Sequence, residues 1–194
     1  MFTGIVQDII TIIELTARAD NLRVTVTLPK NVQYQAGDSI LLNGICSTIE
    51  SITNSALTVE FMPQTRTVTT VDNWQVGQLL NCEAPLTLQT KISGSLVTGH
   101  IDAVGQVIAL EQSTSGTRLT IALVELLSAA IVPQGSITID GVNLTIASII
   151  QPNQVIVYII PHTFEHTTIQ QYTAGTSINI EFDYIAKLVQ SRFP

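Results

Sequence analysis

Apolar and polar residues alternate with a period of two along several short stretches of the chain. Leu22-Arg-Val-Thr-Val-Thr-Leu28 alternates cleanly, Arg118-Leu-Thr-Ile-Ala-Leu123 puts Leu119, Ile121 and Leu123 on one face, and Val155-Ile-Val-Tyr-Ile159 follows more loosely. That period marks a strand with one buried and one exposed face. Asn43-Gly44 and Asp140-Gly141 read as hairpin turns, because tight hairpins need positive φ and these residue types reach it readily. Gly37, Gly77, Gly135 and Gly175 each precede an apolar run. About six short strands in each ~90 residues predict a small closed barrel, which also leaves no strand edge exposed. Helical spacing occurs in two places: Val124 to Ile131, stopped by Pro133, and Tyr184 to Phe193. The second carries Ile185, Leu188, Val189 and Phe193 on one side. That stripe is covered either by its own barrel or by another copy of the chain; self-association is the sharper reading.

The pattern occurs twice. Ser39-Ile-Leu-Leu-Asn-Gly-Ile-Cys-Ser-Thr-Ile-Glu-Ser-Ile52 aligns with Ser136-Ile-Thr-Ile-Asp-Gly-Val-Asn-Leu-Thr-Ile-Ala-Ser-Ile149, with seven of fourteen positions identical. Met62 to Val71 aligns with Ile160 to Ile169, Val76 to Glu83 with Ala174 to Glu181, and Thr3-Gly4-Ile5 with Thr98-Gly99-His100. A unit of ~97 residues is too long for a solenoid repeat. Two tandem domains of one fold are expected, at 1–87 and 88–185, with a C-terminal helix over 186–194.

Composition narrows the function. Eight Lys+Arg against 15 Asp+Glu give a net charge of −7, and only 12% of the 194 residues are charged. Nucleic-acid binding is disfavoured, since it needs Lys/Arg clusters. An apolar content of 45% excludes intrinsic disorder. The N-terminus MFTGIVQD has no signal-peptide pattern, and the most apolar window, Ile121 to Val132, is too short to span a bilayer. Cys46 and Cys82 form no C-x-x-C pair and the three histidines are scattered, so no metal site is expected. A disulfide stays open from the sequence; two reduced thiols in a cytoplasmic protein is the plainer expectation.

Taken together, MFTGIV, Gly37-Asp-Ser with Asn43-Gly44-Ile-Cys46, Thr98-Gly99-His100-Ile101-Asp102, Gly135-Ser-Ile-Thr-Ile-Asp-Gly141 and Ile160-Pro161-His162-Thr163 resemble the riboflavin synthase (α-chain) family. The resemblance covers essentially the whole chain. It implies an all-β fold of two tandem six-stranded Greek-key barrels and a C-terminal helix that assembles a homotrimer. It also implies a reaction without cofactor or metal. Two 6,7-dimethyl-8-ribityllumazine molecules dismutate to riboflavin and a ribitylaminopyrimidinedione by four-carbon transfer. The family also contains non-catalytic lumazine- or flavin-binding antenna proteins, which stand as the alternative. An unrelated ligand-binding double barrel is a third.

The resemblance and the repeat together nominate site residues. Cys46, whose repeat partner is the polar Asn143, is the candidate nucleophile or proton carrier. Ser39 would hydrogen-bond the reacting lumazine, while its mate Ser136 starts a strand. His100, opposite Ile5 in the repeat, adds a group suited to proton exchange. Phe2 would either stack near the ring or fill a barrel entrance. Gly4, Ile5 and Val6 are expected to bring backbone to the ligand of the first barrel, and Gly99, His100 and Ile101 to that of the second. Ser47, Thr48, Met62, Gln64 and Thr65 complete the first site. Gln134, Asn143, Leu144, Thr145, Ile160, Pro161, His162 and Thr163 complete the second. Threonine is also a favoured strand residue, so the threonines gain weight mainly from recurring at matched positions. Cys82 is expected in the core and His166 at the surface.

The chain departs from the family pattern at four places. Ser95 stands where the family commonly has histidine, Gln134 where it has lysine, Asn143 where it has serine, and Ser47 where it has leucine. Three of these fall on the second half, which would stabilise an anionic intermediate less well. Asn143 still offers a donor and an acceptor.

Overall fold

Alternating burial along the strands divides the chain between two cores. The computed structural model describes residues 1–30, 32–114, 116–123, 131–150 and 152–192. β1 (Asp8–Arg18), β2 (Asn21–Thr27), β3 (Ser39–Leu42), β4 (Ile45–Ile52), β5 (Ala56–Phe61) and β6 (Leu79–Glu83) close one antiparallel barrel, in the spatial order β1-β2-β5-β4-β3-β6. β7 (Ala103–Ser113), β8 (Gly116–Ala122), β9 (Ser136–Ile139), β10 (Val142–Ile150), β11 (Gln154–Ile159) and β12 (Ser177–Phe182) close a second. Its order, β7-β8-β11-β10-β9-β12, is the same cycle. The period-two stretches fall on β2, β8 and β11, and Leu119, Ile121 and Leu123 all point into the second core. Of the Val124 to Ile131 segment, residues 124–130 lie outside the described residues.

The irregularities repeat as well. The β1–β2 pairing slips between Ile12 and Glu14, and β7–β8 slips at the equivalent Val107 and Ala109. β4–β5 slips between Ile49 and Ser51, and β10–β11 between Ile146 and Ser148. An extra residue on one strand bends it and increases twist, which a six-stranded sheet needs in order to meet its own edge.

The barrels join about a pseudo-twofold axis built from their hairpins. Asn43 and Asp140 have φ of 43° and 44°, followed by Gly44 and Gly141 at 81° each, the type I′ geometry that Asn-Gly and Asp-Gly favour. The two turns meet back to back. A Cβ on Gly44 would lie 2.8 Å from the Gly141 nitrogen, and one on Gly141 2.9 Å from the Gly44 nitrogen. Buried amides tie the joint together. Asn81 Nδ2 donates to the Asp140 carbonyl and Asn179 Nδ2 to the Asn43 carbonyl, both at 2.9 Å. Their Oδ1 atoms accept from Thr168 N and Thr70 N, both at 2.8 Å. Each fully buried amide is thus satisfied only when both barrels are in place.

Each barrel carries a helical turn between its fifth and sixth strands, α1 (Pro63–Val68) and α2 (Pro161–Glu165), both opening on proline. α3 (Tyr184–Arg192) has no counterpart after the first barrel. It is tied down on one side, where Lys187 Nζ meets Asp102 at 2.8 Å and Ala186 packs on the second core. Ile185, Leu188 and Val189 are 58%, 50% and 54% exposed; Phe193 lies outside the described residues. No described helix is long and apolar enough to cross a membrane.

Candidate functional site

β4 and β10 turn alternate side chains to opposite faces. Ile45, Ser47 and Ile49 point into the first barrel, while Cys46 is half-buried and Thr48 exposed on its outside. Likewise Val142, Leu144 and Ile146 enter the second core, leaving Asn143 and Thr145 outward. Ser47 and Leu144 therefore have no side chain at an outer site, contrary to the sequence expectation. The physical reason is the strict two-residue period. Ser39 pairs with Thr48 across β3–β4, and Ser136 with Thr145 across β9–β10, so a hydroxyl pair stands beside Cys46 and another beside Asn143.

The second correction is larger. Sequence reading assigns Gly4 to Val6 to the first barrel's site and Gly99 to Ile101 to the second's. The structure crosses them. The Gly4 carbonyl accepts from Asn143 N at 2.8 Å, and the Gly99 carbonyl accepts from Cys46 N at 2.9 Å. Val6 packs on the second core and Ile101 on the first. Gly4 and Gly99 have φ of 75° and 80°. A Cβ on Gly4 would lie 2.5 Å from Asn143 Cβ, and one on Gly99 would overlap Cys46. Only glycine allows both this turn and this approach. Each segment is a strap running from its own barrel to the other.

A buried carboxylate holds each strap at its root. Glu83 Oε1 accepts from Thr3 N and Thr3 Oγ1 at 2.7 and 2.6 Å, and Oε2 from Gly4 N at 2.9 Å. Glu181 repeats the pattern on Thr98 and Gly99 with the same three distances. Burial pushes the Glu83 carboxyl upward, while the hydrogen bonds from Thr3 and Gly4 oppose that. The aligned Val76 to Glu83 and Ala174 to Glu181 blocks contain this signal, an acidic residue ending an apolar run twice.

The crossing brings Cys46, Ser39 and the His100 segment to one place, the outer face of the first barrel. Burial raises the Cys46 thiol, opposed by the N-terminal ammonium and the Ser39 hydroxyl. His100 is exposed there. Phe2 is 0% exposed and packs with Leu41, Val97 and Cys46. Its ring braces the Cys46 strand and presents no face to a ligand, because the Phe2–Val97 bridge turns it inward. Cys82 is buried in the first core, its thiol pushed up to about 12 by burial. Both cysteines are free.

The second site is a small pocket of ≈70 Å³ lined by Gly4, Ile5, Val6, Val142, Asn143, His162, Thr163, His166 and Thr167. Asn143, His162 and Thr163 stand where the sequence expectation put them, while Gly4, Ile5 and Val6, expected at the first site, line this one. His166, read as a surface residue, is exposed but lines the pocket, its ring stacked on His162 at 4.3 Å. Asn143 Oδ1 is buried with no hydrogen-bond partner among the described residues. Gln134 sits in the turn before β9 with φ 67° and is not among the lining residues. Ile160 is 62% exposed beside Pro161 at the start of α2. By the shared topology Met62, Gln64 and Thr65 take the equivalent places at the first site. Ser95 donates from Oγ to Asp183 at 2.9 Å, and its N–H to the Thr3 carbonyl at 3.0 Å, so it ties the second strap region to the first.

Comparison with known proteins follows this duplicated geometry. The family model described as lumazine binding domain matches twice, over residues 3–85 and 98–183. Riboflavin synthase of Bacillus subtilis (strain 168) is 32% identical over 96% of this chain and 87% of its own length. Riboflavin synthase of Photobacterium phosphoreum is 31% identical over 98% of this chain and 88% of its own length. A LumP crystal structure with bound riboflavin shares the fold at a TM-score of 0.87 and 23% identity, covering 94% of this chain and 99% of that one. Another, with 6,7-dimethyl-8-(1'-D-ribityl) lumazine, gives 0.84 at 23% identity over the same shares. With both barrels matched and near-full-length relatives above 30% identity, the chain belongs to the riboflavin synthase and lumazine-binding family.

Proposed function

We propose that the protein is a riboflavin synthase, converting two 6,7-dimethyl-8-ribityllumazine molecules into riboflavin and a ribitylaminopyrimidinedione. The observation that carries this reading is the meeting of Cys46, Ser39 and the Gly99-His100 strap on one barrel face, at the 2.9 Å bond between Gly99 O and Cys46 N. The near-full-length relatives bearing that name support it. Each barrel, 1–87 and 88–185, binds one lumazine on its outer face, against a strap from the other barrel. The first site supplies thiol, hydroxyl and imidazole; the second supplies Asn143, the His162-Thr163 turn and backbone.

The chemistry needs an acidic methyl group deprotonated, an anion stabilised and two rings held face to face. Raised by burial, Cys46 acts as a thiol, donating a hydrogen bond or proton, rather than as a standing thiolate. Ser39 orients the same ring, and His100 exchanges protons at its edge. The second pocket holds only ≈70 Å³, less than a bicyclic ring with its ribityl chain fills, so the ring stands partly outside it and is covered by a neighbouring copy. α3, with its exposed Ile185, Leu188 and Val189, joins those copies into a homotrimer. Placing two substrates in contact makes a bimolecular step effectively unimolecular. No metal or redox partner enters the reaction, and the enzyme works in the cytoplasm.

The second reading is a lumazine- or flavin-binding protein without turnover. It is favoured by the three departures Ser95, Gln134 and Asn143, which remove an imidazole and an ammonium from the second half. Mixing the pure protein with 6,7-dimethyl-8-ribityllumazine and following riboflavin absorbance separates the two. Catalytic accumulation of riboflavin supports the synthase; a stoichiometric complex with no riboflavin supports the binder; absence of binding refutes both.

A further inference from the structure

The His162–His166 pair has no equivalent at the first site, where the repeat partners are Gln64 and Val68. The rings stack at 4.3 Å with 16° between planes, and His166 Nδ1 lies 2.8 Å from the His162 carbonyl oxygen. A carbonyl oxygen only accepts, so Nδ1 carries the proton in this bond. In the neutral ring Nε2 is then an acceptor. The His166 backbone N–H also bonds to His162 O, at 3.2 Å, so stack and carbonyl together fix the ring at the pocket wall. Asn143, on β10, lines the same pocket, and its Oδ1 is a second acceptor, buried and without a hydrogen-bond partner among the described residues. An unpaired buried acceptor is costly unless a ligand donor fills it.

We infer that His166 is a ligand-binding residue of the second site, whose Nε2 accepts a hydrogen bond from an N–H or O–H of the bound heterocycle or its polyol chain. His162 acts as its positioning residue. The pocket thereby selects a ligand edge rich in donors, in contrast to the first site, where the equivalent position is the apolar Val68. This rests on the proposed binding of lumazine and deepens it. It also explains how two copies of one molecule are held in unlike environments: one beside a thiol, the other beside a fixed imidazole.

The test uses the full-length protein and 6,7-dimethyl-8-ribityllumazine, with fluorescence titration resolving the two sites. Protection of Cys46 from alkylation reports the first site separately, because Cys82 is buried. His166→Val, which installs the first-half residue, should weaken second-site binding by about tenfold, the usual worth of one good hydrogen bond. Cys46 protection should stay within twofold. His166→Gln, which keeps an acceptor, should recover most of that binding. If His166→Val leaves second-site affinity within twofold, the inference is overturned while the functional reading stands. Equal weakening of both sites would also overturn it, marking His166 as merely structural. If wild-type protein binds no lumazine, the functional reading itself fails, and this one with it.

Discussion

Replacing Glu181 by glutamine tests the crossed straps most directly. Glu181 is 1% exposed, and its two oxygens accept three hydrogen bonds from Thr98 and Gly99. Glutamine offers one oxygen and one NH₂ group. Whichever way it turns, at least one strap donor loses its acceptor and faces another donor. A buried unsatisfied donor costs ~1–3 kcal/mol and loss of charge assistance adds roughly 1, so about 2–4 kcal/mol of stability should be lost. Urea unfolding measures this. The strap ends where Gly99 O meets Cys46 N, so the functional damage should fall on the first barrel's site. Lumazine protection of Cys46 should weaken by roughly 10-fold or more, while the second site keeps its affinity. Glu83→Gln is the mirror experiment, and should weaken the second site instead. Its stability loss should be similar, because the same three hydrogen bonds are at stake. If each variant damaged the site on its own barrel, the crossing would be wrong. A loss below ~0.5 kcal/mol in both would show that these carboxylates do not hold the straps.

Cys46→Ala and His100→Gln should each lower riboflavin formation by roughly 10²-fold, with lumazine binding changed far less; Cys46→Ser, which keeps a donor, should retain more turnover than Cys46→Ala. Unaltered turnover in both removals would show that neither group takes part. Ending the chain at Asp183 removes the exposed stripe of α3 and should convert a trimer to monomer in sedimentation; an unchanged mass would assign assembly to another surface. Asp140 is fully buried and burial raises its carboxyl to about 7, against hydrogen bonds from Tyr172 and Asn179. The folded state therefore holds a proton that the unfolded state releases near 4. Stability should fall by on the order of 4 kcal/mol as pH rises from about 4 to about 7 and then level off. Asp140→Asn, the residue type that Asn43 supplies in the first half, should flatten that slope in denaturation at several pH values; an equally steep slope would assign it to other groups.

Local pattern carried much of the architecture. Two-residue alternation and Asn-Gly and Asp-Gly turns specify strands and hairpins, since both depend on backbone geometry and near neighbours. The duplication made each half a check on the other, which is why the outward positions of Cys46 and Asn143 were readable together. The same period should have excluded Ser47 and Leu144, which alternate inward beside them. What no local rule contains is which barrel a strap serves. Gly4 and Asn143, or Gly99 and Cys46, are far apart in sequence, and their contact is set by how two closed barrels pack about an axis. That packing is fixed by buried amides at Asn81 and Asn179, satisfied only across the joint. The same holds for Phe2, whose ring could face ligand or core until Val97 turned it inward, and for His166, an ordinary surface histidine until the fold of α2 stacked it on His162. Sequence thus determined the elements and the candidate chemistry; the tertiary structure alone decided which groups share a site, because long-range packing selects among arrangements that local geometry leaves equally acceptable.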